Sequence, residues 1–182
     1  MNKVSSFILL IAFTLPTLAQ TTPQTWLLAS STLTYHMSHP IHEVDGVTHA
    51  ARGKGTCADN LCDFLIAAPV KTFDSGDTNR DLHMLQVTRG AQYPVVTVRL
   101  RIPQSAISSS TLDCDLEVQF AGNTAHYAHV PFHQEIHGTE HHITGVVPST
   151  LTDFKITPPS FLTVPIRNEI PVRVDMLWHP AS

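Results

Sequence analysis

The sequence predicts an all-β protein: an eight-stranded antiparallel β-barrel with one short helix at a barrel end. Three observations carry this. Apolar and polar residues alternate along segment after segment. Val96, Val98, Leu100 and Ile102 oppose Thr97, Arg99 and Arg101, and Leu112, Cys114, Leu116, Val118 and Phe120 oppose Asp113, Asp115, Glu117 and Gln119. Charged residues make up only 14 %, prolines number 13, and β-branched residues abound. A helix-like start marks one short stretch, Asn79–Leu85. About eight strands, each with one apolar face, close into a barrel wide enough for one small ligand, and closure removes exposed strand edges.

Taken in order, Lys3, the apolar run Phe7–Leu15 and Thr17-Leu18-Ala19 read as a signal peptide over residues 1–19, followed by one barrel domain over 20–182. The apolar run falls short of the roughly 20 residues of a spanning helix, and no later run reaches that length. The expectation is a periplasmic or secreted protein with no integral span, whose membrane contact would be transient. Thr25–Met37 reads as a strand whose inward residues move from even (Trp26, Leu28) to odd (Leu33, Tyr35, Met37), which places a bulge near Ser30-Ser31. Residues His36–Val47, with Pro40 and Gly46, read as a loop, and Thr48–Cys57 as a weak strand. Cys62–Val70 turns Phe64, Ile66, Ala68 and Val70 to one face.

Thr78, three residues before Asp81, forms a loose capping box for the helix, and Gly90 offers a stop. Tyr93-Pro94 opens the strand Val95–Ile102, because a residue before proline is held extended. Thr111–Phe120 follows. Thr124–His137 is expected to place Ala128, Val130, Phe132 and Ile136 on one face, and Ile143, Gly145 and Val147 belong to the next strand. Residues 149–170 are a proline-broken connection with a short helix near Leu151–Phe154. Val172, Val174, Met176 and Trp178 complete the barrel, with Arg173 and Asp175 outward.

The string Phe73-Asp74-Ser75-Gly76-Asp77-x-Asn79-Arg80-Asp81-x-His83-Met84 resembles the centre of the YceI-like family. Trp26–Tyr35, His39, Val44-x-Gly46 and Gly53-x-Gly55 resemble its flanking features. The resemblance implies a lipocalin-like barrel that holds a long-chain isoprenoid or a similar amphiphile of quinone or polyprenyl-phosphate type.

The candidate lining is Tyr35, Met37, Phe64, Ile66, Val96, Val98, Leu100, Leu116, Phe120, Phe132, Val174 and Met176. Periodicity alone does not separate a filled core from a hollow barrel and slightly favours the filled one. The resemblance reverses that order. Arg80, His83 and Met84 are placed at the barrel mouth, where Arg80 and His83 either meet a polar or phosphorylated head group or, with Arg80 paired to a carboxylate, fasten the helix over the barrel end.

Cys57 and Cys62 flank Ala58-Asp59-Asn60-Leu61, which reads as a four-residue hairpin loop; facing positions there meet disulfide geometry, so a bridge is expected, the alternative being two free thiols. Cys114 is left odd on an inward face.

With 15 acidic against 11 basic residues and no basic run, a nucleic-acid partner is not expected. No G-x-S-x-G or H-E-x-x-H is present, and Cys57-x₄-Cys62 is not the thioredoxin spacing, so no catalytic residue is assigned and the reading is not an enzyme. The 12 histidines invite a second reading as a metal-binding or redox-associated module. Residues four apart on a strand lie roughly 13 Å apart, so His129, His133 and His137 do not share one ion. His36, His39, His42 and His49 could converge, but solvated surface histidines are the favoured reading. No metal or resident cofactor is assigned, and the sequence does not address oligomeric state.

Overall fold

The computed structural model describes residues 23–161 and 163–181. The expected signal peptide lies outside the described residues. The strands are β1 (Gln24–His39), β2 (His42–Thr48), β3 (Arg52–Ala58), β4 (Leu61–Pro69), β5 (Val95–Pro103), β6 (Thr111–Phe120), β7 (Asn123–His137), β8 (Glu140–Val147), β9 (Ser160–Phe161), β10 (Val164–Pro165) and β11 (Val172–Pro180). Every pairing between them is antiparallel. The sheet runs β11-β8-β7-β6-β5-β4-β3-β1, and β1 closes it by pairing with β11 from Trp26↔Pro180 to Tyr35↔Val172. β3 pairs with Gln24–Leu27 and β2 with Leu33–His39, on the same edge of β1. The two act as one broken stave, and the barrel has eight.

The register of β1 slips between Leu28 and Ser30, so Trp26 and Leu33 both turn inward although they differ in parity. This is the bulge that the change of phase requires. Residues 36–47, however, are not a loop. β1 continues to His39, turns at Pro40-Ile41, and returns as β2. The tip of this hairpin carries polar residues on both faces, and Pro40 sits in its turn, so alternation did not reveal it.

β7 also departs from the simple pattern. Cys114 pairs with Val130 and Leu116 with Tyr127, which puts two residues, Ala128 and His129, opposite one. His129 takes a positive φ of 56° and donates its N–H to Asp115 Oδ1 at 3.0 Å. The bulge turns Ala128 to solvent, not to the inward face, while Ala125 is buried. Ile136 is likewise misplaced: it lies beyond the barrel end and is 41 % exposed, and the inward residue before it is Gln134.

Helix α1 (Thr78–Val87) joins β4 to β5. Its cap is Asp77, not Thr78: the Asp77 carboxylate accepts from the N–H groups of Asn79 and Arg80 at 2.9 and 3.0 Å. Asp81, expected to close a capping box, instead binds Ser75. At the far end Gly90 N–H reaches Leu85 O and Arg89 N–H reaches Gln86 O, a Schellman ending. The left-handed residue is Arg89, at φ 54°, and its guanidinium bonds Ala121 O and stacks on Tyr93.

Cys57 and Cys62 are directly opposed and disulfide-bonded, with Cα atoms 4.0 Å apart. The hairpin loop is shorter than four residues: Asp59 and Asn60 alone turn the chain, both with positive φ, as a type I′ turn requires.

One barrel end is sealed. The turn of 3₁₀-helix Gln104–Ser108 lies across it and is held by Gln134, whose side-chain amide donates to Ile107 O at 2.7 Å and Ser109 O at 2.6 Å. Replacing Gln134 with Leu strands two carbonyls. Buried unsatisfied groups cost about 1–3 kcal/mol each, so a Tm loss of roughly 4–24 °C is expected, measured by thermal unfolding against Glu135→Ala on the exposed face. A Tm within about 2 °C of the parent would show that Gln134 does not hold the seal.

Candidate functional site

The barrel encloses a cavity of about 310 Å³. Tyr35 and Met37 of β1, Phe64 and Ile66 of β4, Val96, Val98 and Leu100 of β5, Leu116 and Phe120 of β6, Phe132 of β7, and Val174 and Met176 of β11 all line it. So do Arg80, His83 and Met84 of α1. Further lining comes from the 149–170 connection, including Leu151, Phe154, Ile166 and Ile170. Proline breaks the periodicity there, so no strand or helix pattern marked those side chains as inward.

The space exists because large rings lie against the wall. Gly46, Gly55 and Gly145 stand directly across from Tyr35, Phe64 and Phe132 in the ladders. A Cβ on any of them would come within 2.2–2.5 Å of the facing ring. Gly53 pairs with Ile66 instead, but a Cβ on it would come within 2.5 Å of the Trp178 ring. Each ring therefore covers a bare backbone instead of standing in the lumen. Phe64 and Trp178 then meet edge to face with centroids 5.3 Å apart, as do Phe120 and Phe154.

The two ends differ in chemistry. At the sealed end Trp26, Gln134, His141 and Trp178 are buried. Because the Gln134 amide donates to two carbonyls, its Oε1 faces His141 Nδ1, at 3.3 Å, and that nitrogen carries the ring proton. Burial holds the His141 pKa below the usual histidine range. The sequence gives Gln134 no reading of its own, and His141, which with His142 reads as a turn pair, lies in β8. The available signal is that each occupies an inward position, Gln134 after Val130 and Phe132, and His141 before Ile143.

At the other end, under α1, Tyr35, Met37, Arg80 and Met84 are half-buried and His83 is exposed, while Val70, Leu151 and Phe154 are buried. Here Ser75 is the hub. Its hydroxyl donates to Asp81 Oδ1 at 2.5 Å and accepts from Arg80 Nε at 2.8 Å, and its carbonyl accepts from Arg80 Nη2 at 2.6 Å. Arg80 thus fastens the helix through neutral groups of Ser75, not through an ion pair. Tyr35 Oη lies against Ser75, and its pKa is raised, first by burial and then by the Asp81 charge.

Cys114 is a buried free thiol in the wall, and burial pushes its pKa up to about 11. The histidines are spread over different partners: His36 with Asp45, His49 with Thr32, His129 with Asp113, and His142 with Asp175. Among the described residues no three His, Cys, Asp or Glu side chains are grouped to hold a metal ion. No described helix is long and apolar enough to cross a membrane.

No family model and no curated protein matches the sequence. Solved structures do match. A polyisoprenoid binding domain from Saccharophagus degradans superposes with a TM-score of 0.68 at 12 % identity, over 86 % of this chain and 98 % of that one. Burkholderia cenocepacia BcnA gives 0.68 at 13 %, over 81 % and 95 %. A YCEI protein of Campylobacter jejuni gives 0.53 at 13 %, over 66 % and 72 %. The barrel has the YceI-like fold. In this YceI-like barrel the Asp74–Met84 string is the approach to α1 and the helix itself, so the most recognisable stretch of sequence is the cover of the cavity.

His141 gives the barrel a pH signature. In the unfolded chain it titrates near pH 6.5, and in the fold at a lower pH. Above 6.5 both states are neutral and the group contributes nothing to the pH dependence. As pH falls below 6.5 the unfolded state takes the proton first, and stability is lost. Denaturant titrations of wild type and His141→Gln at pH 7.0 and 5.0 should show the variant losing less on acidification. Equal losses would mean that His141 titrates normally in the fold.

Proposed function

We propose that this protein binds a long-chain amphiphile of isoprenoid type and carries or stores it in the periplasm or secreted space. The observation that carries the reading is an apolar cavity, kept hollow by rings folded onto glycines, sealed at one end and bordered at the other by the half-buried Tyr35, Met37, Arg80 and Met84 and the exposed His83. Burying an apolar chain releases roughly 0.8 kcal/mol per CH₂, so a tail needs little beyond shape. A cavity of about 310 Å³ is at the small end of ligand sites, which run roughly 300–1,000 Å³. A long tail therefore fills the barrel and emerges at the α1 end, where its polar head is placed. The similarity in fold to a polyisoprenoid binding domain supports the ligand class. The Cys57–Cys62 bridge supports an oxidising compartment. The bound molecule is cargo, and the reading requires no catalytic residue, metal or resident cofactor.

Mass spectrometry of an organic extract from natively purified protein should find a stoichiometric apolar-tailed lipid. Val98 lines the cavity midway along β5, and Val98→Trp should lower that stoichiometry at least about threefold while circular dichroism keeps its β signature. A folded variant that retains full lipid occupancy would sink the proposal.

A further inference from the structure

The α1 mouth has a charge balance that bears on the cargo's head group, an inference that rests on the tail-binding reading above. Between residues 74 and 81 there are three aspartates and one arginine. Each carboxylate is held by neutral donors: Asp74 by Gly76 N–H at 2.7 Å, Asp77 by Asn79 and Arg80 N–H, and Asp81 by the N–H and hydroxyl of Ser75. Such bonds satisfy the oxygens and leave the negative charge in place. Arg80 makes no ion pair with them; two of its nitrogens bind Ser75, and Nη1 has no partner among the described residues.

The balance reaches the cavity. Tyr35 lines it, and at the Tyr35 hydroxyl Asp81 acts more strongly than Arg80, with Asp45 adding to the same sign. Asp45 on the neighbouring hairpin is already matched by Arg173 at 2.6 Å and His36 at 2.7 Å, so Arg173 is not free to offset the others. A head group beside the Tyr35 hydroxyl meets one open cationic donor, Arg80 Nη1, and the Asp81 charge, which acts there more strongly than Arg80, with His83 and Lys71 at the same end of the barrel. A phosphate brings about −1.5 to −2 charges to that point. A carbonyl or hydroxyl brings an acceptor and no charge.

We infer that the mouth selects amphiphiles with a neutral hydrogen-bond-accepting head, which binds Arg80 Nη1, and disfavours phosphorylated heads on the same tail. The test uses the full chain at pH 7.5 in about 0.15 M salt, with three probes of one tail length: geranylgeraniol, geranylgeranyl phosphate and the corresponding headless hydrocarbon.

Geranylgeraniol should bind at least about tenfold more tightly than the phosphate, since even partly screened like charges a few Å apart repel by more than RT. It should also bind more tightly than the hydrocarbon, an advantage that Arg80→Gln removes. Asp81→Asn should strengthen phosphate binding severalfold relative to geranylgeraniol. Asp81 also braces Ser75, so Asp77→Asn, which keeps an N-cap acceptor, is the second variant and should act in the same direction. A phosphate that binds as tightly as the alcohol overturns the inference. So does a gap that neither aspartate variant narrows. If none of the three probes binds, the cavity reading itself fails, and the selectivity with it.

Discussion

An eight-stranded barrel is at the size where its own side chains can fill it. Whether this one is a core or a container depends on where its large rings lie. Tyr35, Phe64, Phe132 and Trp178 all belong to the inward face, and each folds over a glycine of another strand. The glycines are spread over β2, β3 and β8, so rings are drawn to the wall at separate places around the circumference. A side chain larger than hydrogen at Gly55 or Gly145 would push the facing ring toward the axis. The hollow interior is thus set by pairs that span two strands, and it depends on register as much as on composition.

Register is in turn set by closure. Among the described residues β1 is the only strand that pairs with three others, meeting β11 on one edge and β2 and β3 on the opposite one. Its bulge near Leu28–Ser30 lets one continuous strand keep both Trp26 and Leu33 inward. The sealed end is stiffened by the Cys57–Cys62 link and by Gln134, both buried. The α1 end is built differently. No residue of α1 itself is fully buried. The helix is held by polar contacts at its edges: Arg80 and Asp81 on Ser75, and the two hydrogen bonds that join Asp74 to Val47. Elements with little buried apolar surface open at low free energy, so this end of the barrel opens more readily than the sealed one.

The clean alternation of Val96–Ile102 and Leu112–Phe120 made the barrel legible, because those strands have one apolar and one solvated face. The change of parity in β1 exposed its bulge for the same reason. The β7 bulge was hidden: Ala128 is apolar and fits the parity of Val130, and a His129 with positive φ leaves no pattern in composition. The β1–β2 hairpin was hidden because its tip buries few residues on either face. The tail-lining side chains were legible wherever they sat on a regular strand, and those of the 149–170 connection were not. The glycine–aromatic pairs join residues such as Gly145 and Phe132, whose meeting depends on the strand pairing, so their meaning appears only once register is known.

Stability and selectivity are carried by different parts of this chain. The wall and seal use buried apolar residues, a disulfide and a buried amide, so changes there act on folding first. The mouth uses half-exposed charges whose hydrogen bonds go to one serine and to helix N–H groups, so single charges there can change with modest structural effect. That separation lets charges at the mouth change while the barrel keeps its fold. The tail supplies affinity in proportion to the chain it buries, almost without regard to identity. On the proposed reading, discrimination comes from the few groups near the head: Arg80, Tyr35 and the aspartates around Ser75.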